Sequence, residues 1–97
     1  MYIGEVRTFP KENLPDLRGQ ALKVLEESAE VFSAVTDLYA LEEQGEYWYR
    51  KWAVDECADV IMAVSNMLML LGVEDFPKFM HNCEQRQKKR GGYGVQE

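Results

Sequence analysis

The chain has 97 residues, a formal net charge of −6 and 46% hydrophobic content, with only seven glycines and three prolines. That composition excludes a disordered tail, a collagen-like rod and a low-complexity linker, and describes one small globular domain spanning residues 1–97. Seventeen acidic residues against eleven basic ones weigh against binding a nucleic-acid polymer or an anionic membrane, since both need cations to meet phosphate.

Residues 1–12, with Gly4 and Pro10, read as a lead-in. Met1-Tyr2-Ile3-Gly4-Glu5 carries neither the basic start nor the apolar run of a signal peptide, and a cytoplasmic location is expected. The first helix is expected over 13–44. Pro15 suits a first turn and Asp16 favours a helix N-terminus. Leu22, Leu25, Ala29, Phe32, Val35 or Thr36, and Tyr39 then follow at spacings of three and four, marking an amphipathic face, and Gly45 stops the run.

A second helix is expected over 46–72, from about Glu46 or Tyr47 to Gly72. Between Cys57 and Leu71 only Asp59, Ser65 and Asn66 are polar, and a helix apolar around most of its circumference is built for burial. Its greasiest stretch, Val60 to Gly72, is too short to span a bilayer. Asp75-Phe76-Pro77 reads as a cap and first-turn proline opening a third helix over 76–90, with Phe76, Phe79, Met80 and Cys83 inward and a basic end at Arg86, Lys88, Lys89 and Arg90. The domain is all-α. A core this small needs a disulfide, a metal or a partner subunit. Cys57 and Cys83 make no disulfide framework, and Cys57 reads as a small buried thiol. A subunit interface is therefore expected to finish burying the second helix.

Glu26, Glu27 and Glu30 crowd one turn of the first helix, an arrangement that on its own also describes a solvated acidic face. Glu56 and Asp59 form a second carboxylate pair on the most apolar helix, where Asp55, Asp59 and Asn66 make a narrow polar stripe with no Lys or Arg between Lys51 and Lys78. Convergent carboxylates repel unless a cation neutralises them, and an all-oxygen set selects Mg²⁺ or Mn²⁺ over zinc. His81 is the only histidine, which disfavours a Ser–His or Cys–His nucleophile, and it reads as a surface residue. Gly91-Gly92-Tyr93-Gly94 lacks the Lys-Ser/Thr of a phosphate-cradling loop. A magnesium site without a nucleophile points to water attacking phosphorus.

From Gln20 to Arg90 the sequence resembles the MazG-type all-α nucleoside triphosphate pyrophosphohydrolases. The likeness rests on Glu26-Glu27-Ser28-Ala29-Glu30 and Glu56-Cys57-Ala58-Asp59, separated by the 25 residues from 31 to 55, with Asn66 seven residues past Asp59 and a basic tail. The resemblance implies a bundle of four or five helices completed by association as a homodimer or homotetramer. It implies that Glu27, Glu30, Glu56 and Asp59 are the Mg²⁺ ligands, that Glu26 lies behind them or positions the attacking water, and that Asn66 reaches substrate. Lys88, Lys89, Arg90 and Tyr93 would lie toward the triphosphate, with Gln87 where relatives carry Asn. Cations at a helix C-terminus are also favourable with no ligand at all. Trp48 is a candidate for stacking on the base, whereas Tyr47 and Trp52 read as packing or subunit contacts. The activity implied is hydrolysis of a nucleoside triphosphate to monophosphate and pyrophosphate. Related hydrolysis of dUTP or phosphoribosyl-ATP, and a non-catalytic helical oligomerisation module, remain alternatives.

Overall fold

A computed structural model of the chain describes residues 5–45 and 48–94. Among them there is no strand; a 3₁₀ turn at Lys11–Asn13 precedes three α-helices, α1 (Leu17–Glu42), α2 (Tyr49–Leu70) and α3 (Phe76–Lys89). The all-α expectation holds, and the described residues supply three α-helices. The first helix starts later than residue 13 because Asp16 is its N-cap: Oδ1 accepts from Gly19 N–H at 2.8 Å, and Pro15 falls outside the helix. The second begins at Tyr49; the expected start at Glu46 or Tyr47 lies outside the described residues.

Helix ends follow from glycines. Gly72 sits at φ 88°, donates to Met69 O, and is followed by Val73 donating to Leu68 O, which closes α2 in a Schellman motif. Gly91 and Gly92 repeat the pattern on Lys88 O and Gln87 O, so the Gly-Gly pair is the stop of α3. At the start of α3, Asp75 Oδ1 accepts from Lys78 N–H at 3.0 Å, with Pro77 in the first turn, as its sequence predicts.

α1 and α2 form an antiparallel hairpin, and among the described residues theirs is the only extensive packing between helices. The buried and half-buried positions Gln20, Val24, Glu27, Val31, Ala34, Leu38 and Leu41 on α1 alternate in steps of four and three. Ala53, Glu56, Val60, Ala63, Met67 and Leu70 do the same on α2. This is the seam of two helices crossing at a small angle. At one end Gln20 Nε2 donates to Ala63 O at 2.9 Å; at the other, Arg50 grips the Glu42 carboxylate through both guanidinium edges.

The face of α1 marked by Leu22, Leu25, Ala29, Phe32 and Tyr39 lies on the other side of the helix from this seam. It faces solvent, with Leu25 at 65%, Phe32 at 75% and Tyr39 at 70% exposure. The two stripes compete for the same helix, and the one that sets small Ala34 in a seam with Ala53 and Ala63 on α2 allows the closer approach. Among the described residues, buried apolar side chains are confined to those three alanines. Cys57, read from the sequence as buried, is exposed; Cys83 is half-buried, and both thiols are free. Phe76 and Met80, expected inward, are exposed as well. α3 stands away from the hairpin: the radius of gyration is 16.3 Å, where a compact chain of this length has about 12.5 Å.

Candidate metal centre and adjoining cleft

Glu27 and Glu30 on α1 and Glu56 on α2 bring one carboxylate oxygen each within 4.8 Å of the others. Heptad geometry explains the meeting. Glu27 and Glu56 occupy seam positions, where an antiparallel partner is directly opposite, and Glu30 follows Glu27 by three residues at the seam's edge. Glu27 is 8% exposed, Glu56 half-buried and Glu30 exposed.

Their hydrogen bonds leave a defined deficit. Glu27 Oε1 pairs with Lys23 Nζ at 3.0 Å, and this contact, with the Glu27 charge behind it, raises the Lys23 ammonium above its ordinary value. Glu56 Oε1 accepts from the Trp52 indole N–H at 2.9 Å. The second oxygens, Glu27 Oε2 and Glu56 Oε2, are buried with no partner. A buried acceptor left unsatisfied costs about 1–3 kcal/mol, and more when charged. Protonation of Glu30 is the one local remedy. The Glu56 carboxylate, close enough to share that proton, is the largest influence raising the Glu30 carboxyl above its ordinary value, followed by the negative charge of Glu27. Two buried anionic oxygens on facing helices, with a third carboxylate open to solvent, form an all-oxygen donor set that could hold a hard divalent ion.

Beside the three glutamates opens a cleft of about 450 Å³, within the range of small-molecule sites. Its walls are the lead-in (Phe9, Asn13, Leu14, Pro15), one flank of α1 (Gly19 to Glu27) and α2 from Asp59 to Asn66. Gly19 is required at this wall, since a Cβ there would stand 2.9 Å from Pro15 Cβ and 3.0 Å from Asp16 Oδ1. Glu26, Glu27 and Asp59 share the cleft, but Asp59 is exposed and outside the trio of close carboxylates. Asp55, on the same stripe, faces solvent and pairs with Lys51 at 3.0 Å.

Asn66 is 2% exposed, and its Oδ1 accepts from Phe9 N–H at 2.9 Å, so its first task is to hold the lead-in across the hairpin. Its Nδ2 has no partner among the described residues, and Asn66 remains a wall of the cleft. Trp48, Lys88, Lys89, Arg90 and Tyr93 do not line the cleft. Trp48 is exposed, its ring 3.6 Å from that of Tyr49, which in turn meets Trp52 edge-on at 5.3 Å. Tyr47 lies outside the described residues. His81 is a surface residue, its Nδ1 3.9 Å from Glu84.

Of four further participants, Lys23, Phe9 and Gln20 were not singled out from the sequence, and Trp52 was read only as a packing or subunit contact. Trp52 and Lys23 each stand four residues before the glutamate they hold, a spacing that could have identified both. Phe9 and Gln20 carry no such signal, because the role of Phe9 depends on the lead-in folding back over the hairpin and that of Gln20 on the pairing of α1 with α2.

Set against protein-family models, curated proteins and solved structures, the chain matches none of them. No helix among the described residues is long and apolar enough to cross a membrane.

Proposed function

We propose that the chain is a divalent-cation-dependent nucleoside triphosphate pyrophosphohydrolase. The observation that carries this reading is the pair of buried, unpartnered oxygens of Glu27 and Glu56, facing each other across two helices with Glu30 beside them. The resemblance of Glu26-Glu27-x-x-Glu30 and Glu56-x-x-Asp59 to the MazG-type enzymes agrees with it.

Glu27, Glu30 and Glu56 would hold Mg²⁺ or Mn²⁺, with Asp59 at the mouth of the same cleft as a further ligand. The ion, when bound, supplies positive charge against the phosphate chain of the substrate. The protein's own part is positioning and electrostatics. Trp52 fixes the Glu56 carboxylate through its indole N–H, and Lys23 fixes that of Glu27. Glu26, in the cleft next to Glu27, is the acceptor for the proton of a water whose oxygen bonds to the α-phosphorus as the bond to the β-phosphate oxygen breaks. Pyrophosphate leaves, the nucleoside monophosphate remains, and the proton returns to solvent from Glu26. Phe9, Leu22 and Met62 give the cleft apolar walls for the nucleoside, and Asn66 contributes an amide donor.

The large apolar exposure also fits a helical oligomerisation module that uses its acids only for solubility. The two readings separate on ³¹P NMR of a nucleotide panel, dUTP and phosphoribosyl-ATP included, incubated with the protein and Mg²⁺. Monophosphate and pyrophosphate appear for at least one substrate, and neither appears with Glu56→Ala. No turnover of any nucleotide by the wild-type chain leaves the oligomerisation module.

A further inference from the structure

The chain exposes 7864 Å² of solvent-accessible surface, whereas a folded monomer of its 11.2 kDa mass exposes about 5,700 Å². The excess, about 2,000 Å², is larger than the roughly 800 Å² that each partner contributes to a standard stable interface. Two exposed apolar surfaces stand out among the described residues. One is the α1 stripe from Leu22 to Tyr39, about 25 Å long. The other is α3, about 20 Å long, which carries an apolar face of Phe76, Phe79, Met80 and Cys83 and packs extensively on neither helix of its own chain.

These two surfaces are complementary. Laid antiparallel on α1, with Phe76 opposite Phe32, α3 brings Met80 to Ala29 and Cys83 to Leu25. Its basic end then reaches Leu22. That residue is both the last of the stripe and a wall of the acidic cleft, beside Glu26, Glu27 and Asp59. Arg86, Lys88, Lys89 and Arg90 enter no ion pair among the described residues, so their charge is available to such a neighbour.

We propose that α3 docks in trans, covering the α1 stripe of a second copy and delivering its four cations to the rim of that copy's cleft. Each site would then combine carboxylates from one chain with phosphate-binding cations from the other. The docking stands by itself; only its role in phosphate binding rests on the pyrophosphohydrolase reading.

Disulfide trapping tests the docking without reference to activity. Two differently tagged full-length chains, both carrying Cys57→Ser and Cys83→Ser, are mixed, one with Ala29→Cys and the other with Met80→Cys. Mild oxidation is expected to yield a covalent dimer containing one of each, and Phe32→Asp is expected to abolish it while leaving the helical circular dichroism intact, because Phe32 is exposed in the single chain. Absence of the mixed dimer, or a wild-type chain that sediments as a monomer, overturns the proposal. Complementation tests the shared site. Glu56→Gln chains and chains with all four tail cations replaced by Gln are each inactive, and their equimolar mixture recovers about one quarter of wild-type pyrophosphate release, as random pairing in a twofold dimer requires. A mixture as inactive as its two components places the tail in cis and overturns the shared site. A trapped dimer from a wild-type chain that hydrolyses nothing supports the docking and refutes the enzyme.

Discussion

Trp52 donates its indole N–H to Oε1 of Glu56 one helical turn away, at 2.9 Å, and leaves Oε2 of the same carboxylate buried without a partner. The indole therefore orients the anion toward α1, where Glu27 and Glu30 lie, instead of letting it turn to solvent. Trp52→Phe keeps most of the ring's packing and removes only the donor. We expect a loss of about 1.5 kcal/mol in unfolding free energy by urea titration, and about tenfold weaker Mn²⁺ binding by calorimetry. Weakened stability with unchanged cation affinity would make the contact purely structural.

Glu30 predicts an unusual pH dependence. Its carboxyl is raised by the neighbouring Glu56 carboxylate, with which it can share a proton, and by the Glu27 charge, so between the ordinary and the raised value the folded chain binds a proton that the unfolded chain has released. Its contribution to stability is complete below the ordinary carboxylate range and is lost as pH rises through the raised value. Melting curves from acid toward neutral pH, without divalent cation, should therefore carry a falling contribution that Glu30→Gln removes. Mg²⁺ should reverse the slope, since the ion competes with that proton and binds better as it leaves. Identical pH profiles for wild type and Glu30→Gln would refute the coupling.

Asn66 anchors the lead-in through Phe9 N–H from a position 2% exposed. Asn66→Ala strands a partly buried backbone donor and is expected to cost about 1–3 kcal/mol, seen as a lower melting temperature. The lead-in forms one wall of the cleft, so limited proteolysis should cut before Asp16 sooner in the variant. An unchanged melting temperature and cleavage rate would remove Asn66 from this role.

How much of this was legible beforehand divides along physical lines. The helices were, because Asp16, Gly45, Asp75-Phe76-Pro77 and Gly91-Gly92 are local signals whose geometry is set within a few residues. The side on which α1 packs was not. Leu22, Leu25, Phe32 and Tyr39 form the more hydrophobic stripe, yet the seam runs through Val24, Val31 and Ala34, since small residues on both helices permit close contact. Periodicity reveals that a face is apolar and is silent on whether its own chain or another covers it.

The carboxylates divide the same way. Glu27, Glu30 and Glu56 were recognisable from spacing and do meet. The two acids of α2, paired by spacing in the sequence, differ in burial: Glu56 turns inward on the seam and Asp59 lies exposed at the cleft edge. Asn66 was marked by its polarity on an apolar helix, but its backbone partner in the lead-in is 57 residues away in the chain, beyond any local pattern.

The most direct measurement is a calorimetric titration of the wild-type chain with Mn²⁺ above neutral pH, repeated with Glu56→Gln. Saturable binding that releases protons, and that is lost or at least tenfold weaker in Glu56→Gln, is the predicted result. Equal binding by both chains, or none by the wild type, would contradict a cation site built from Glu27, Glu30 and Glu56.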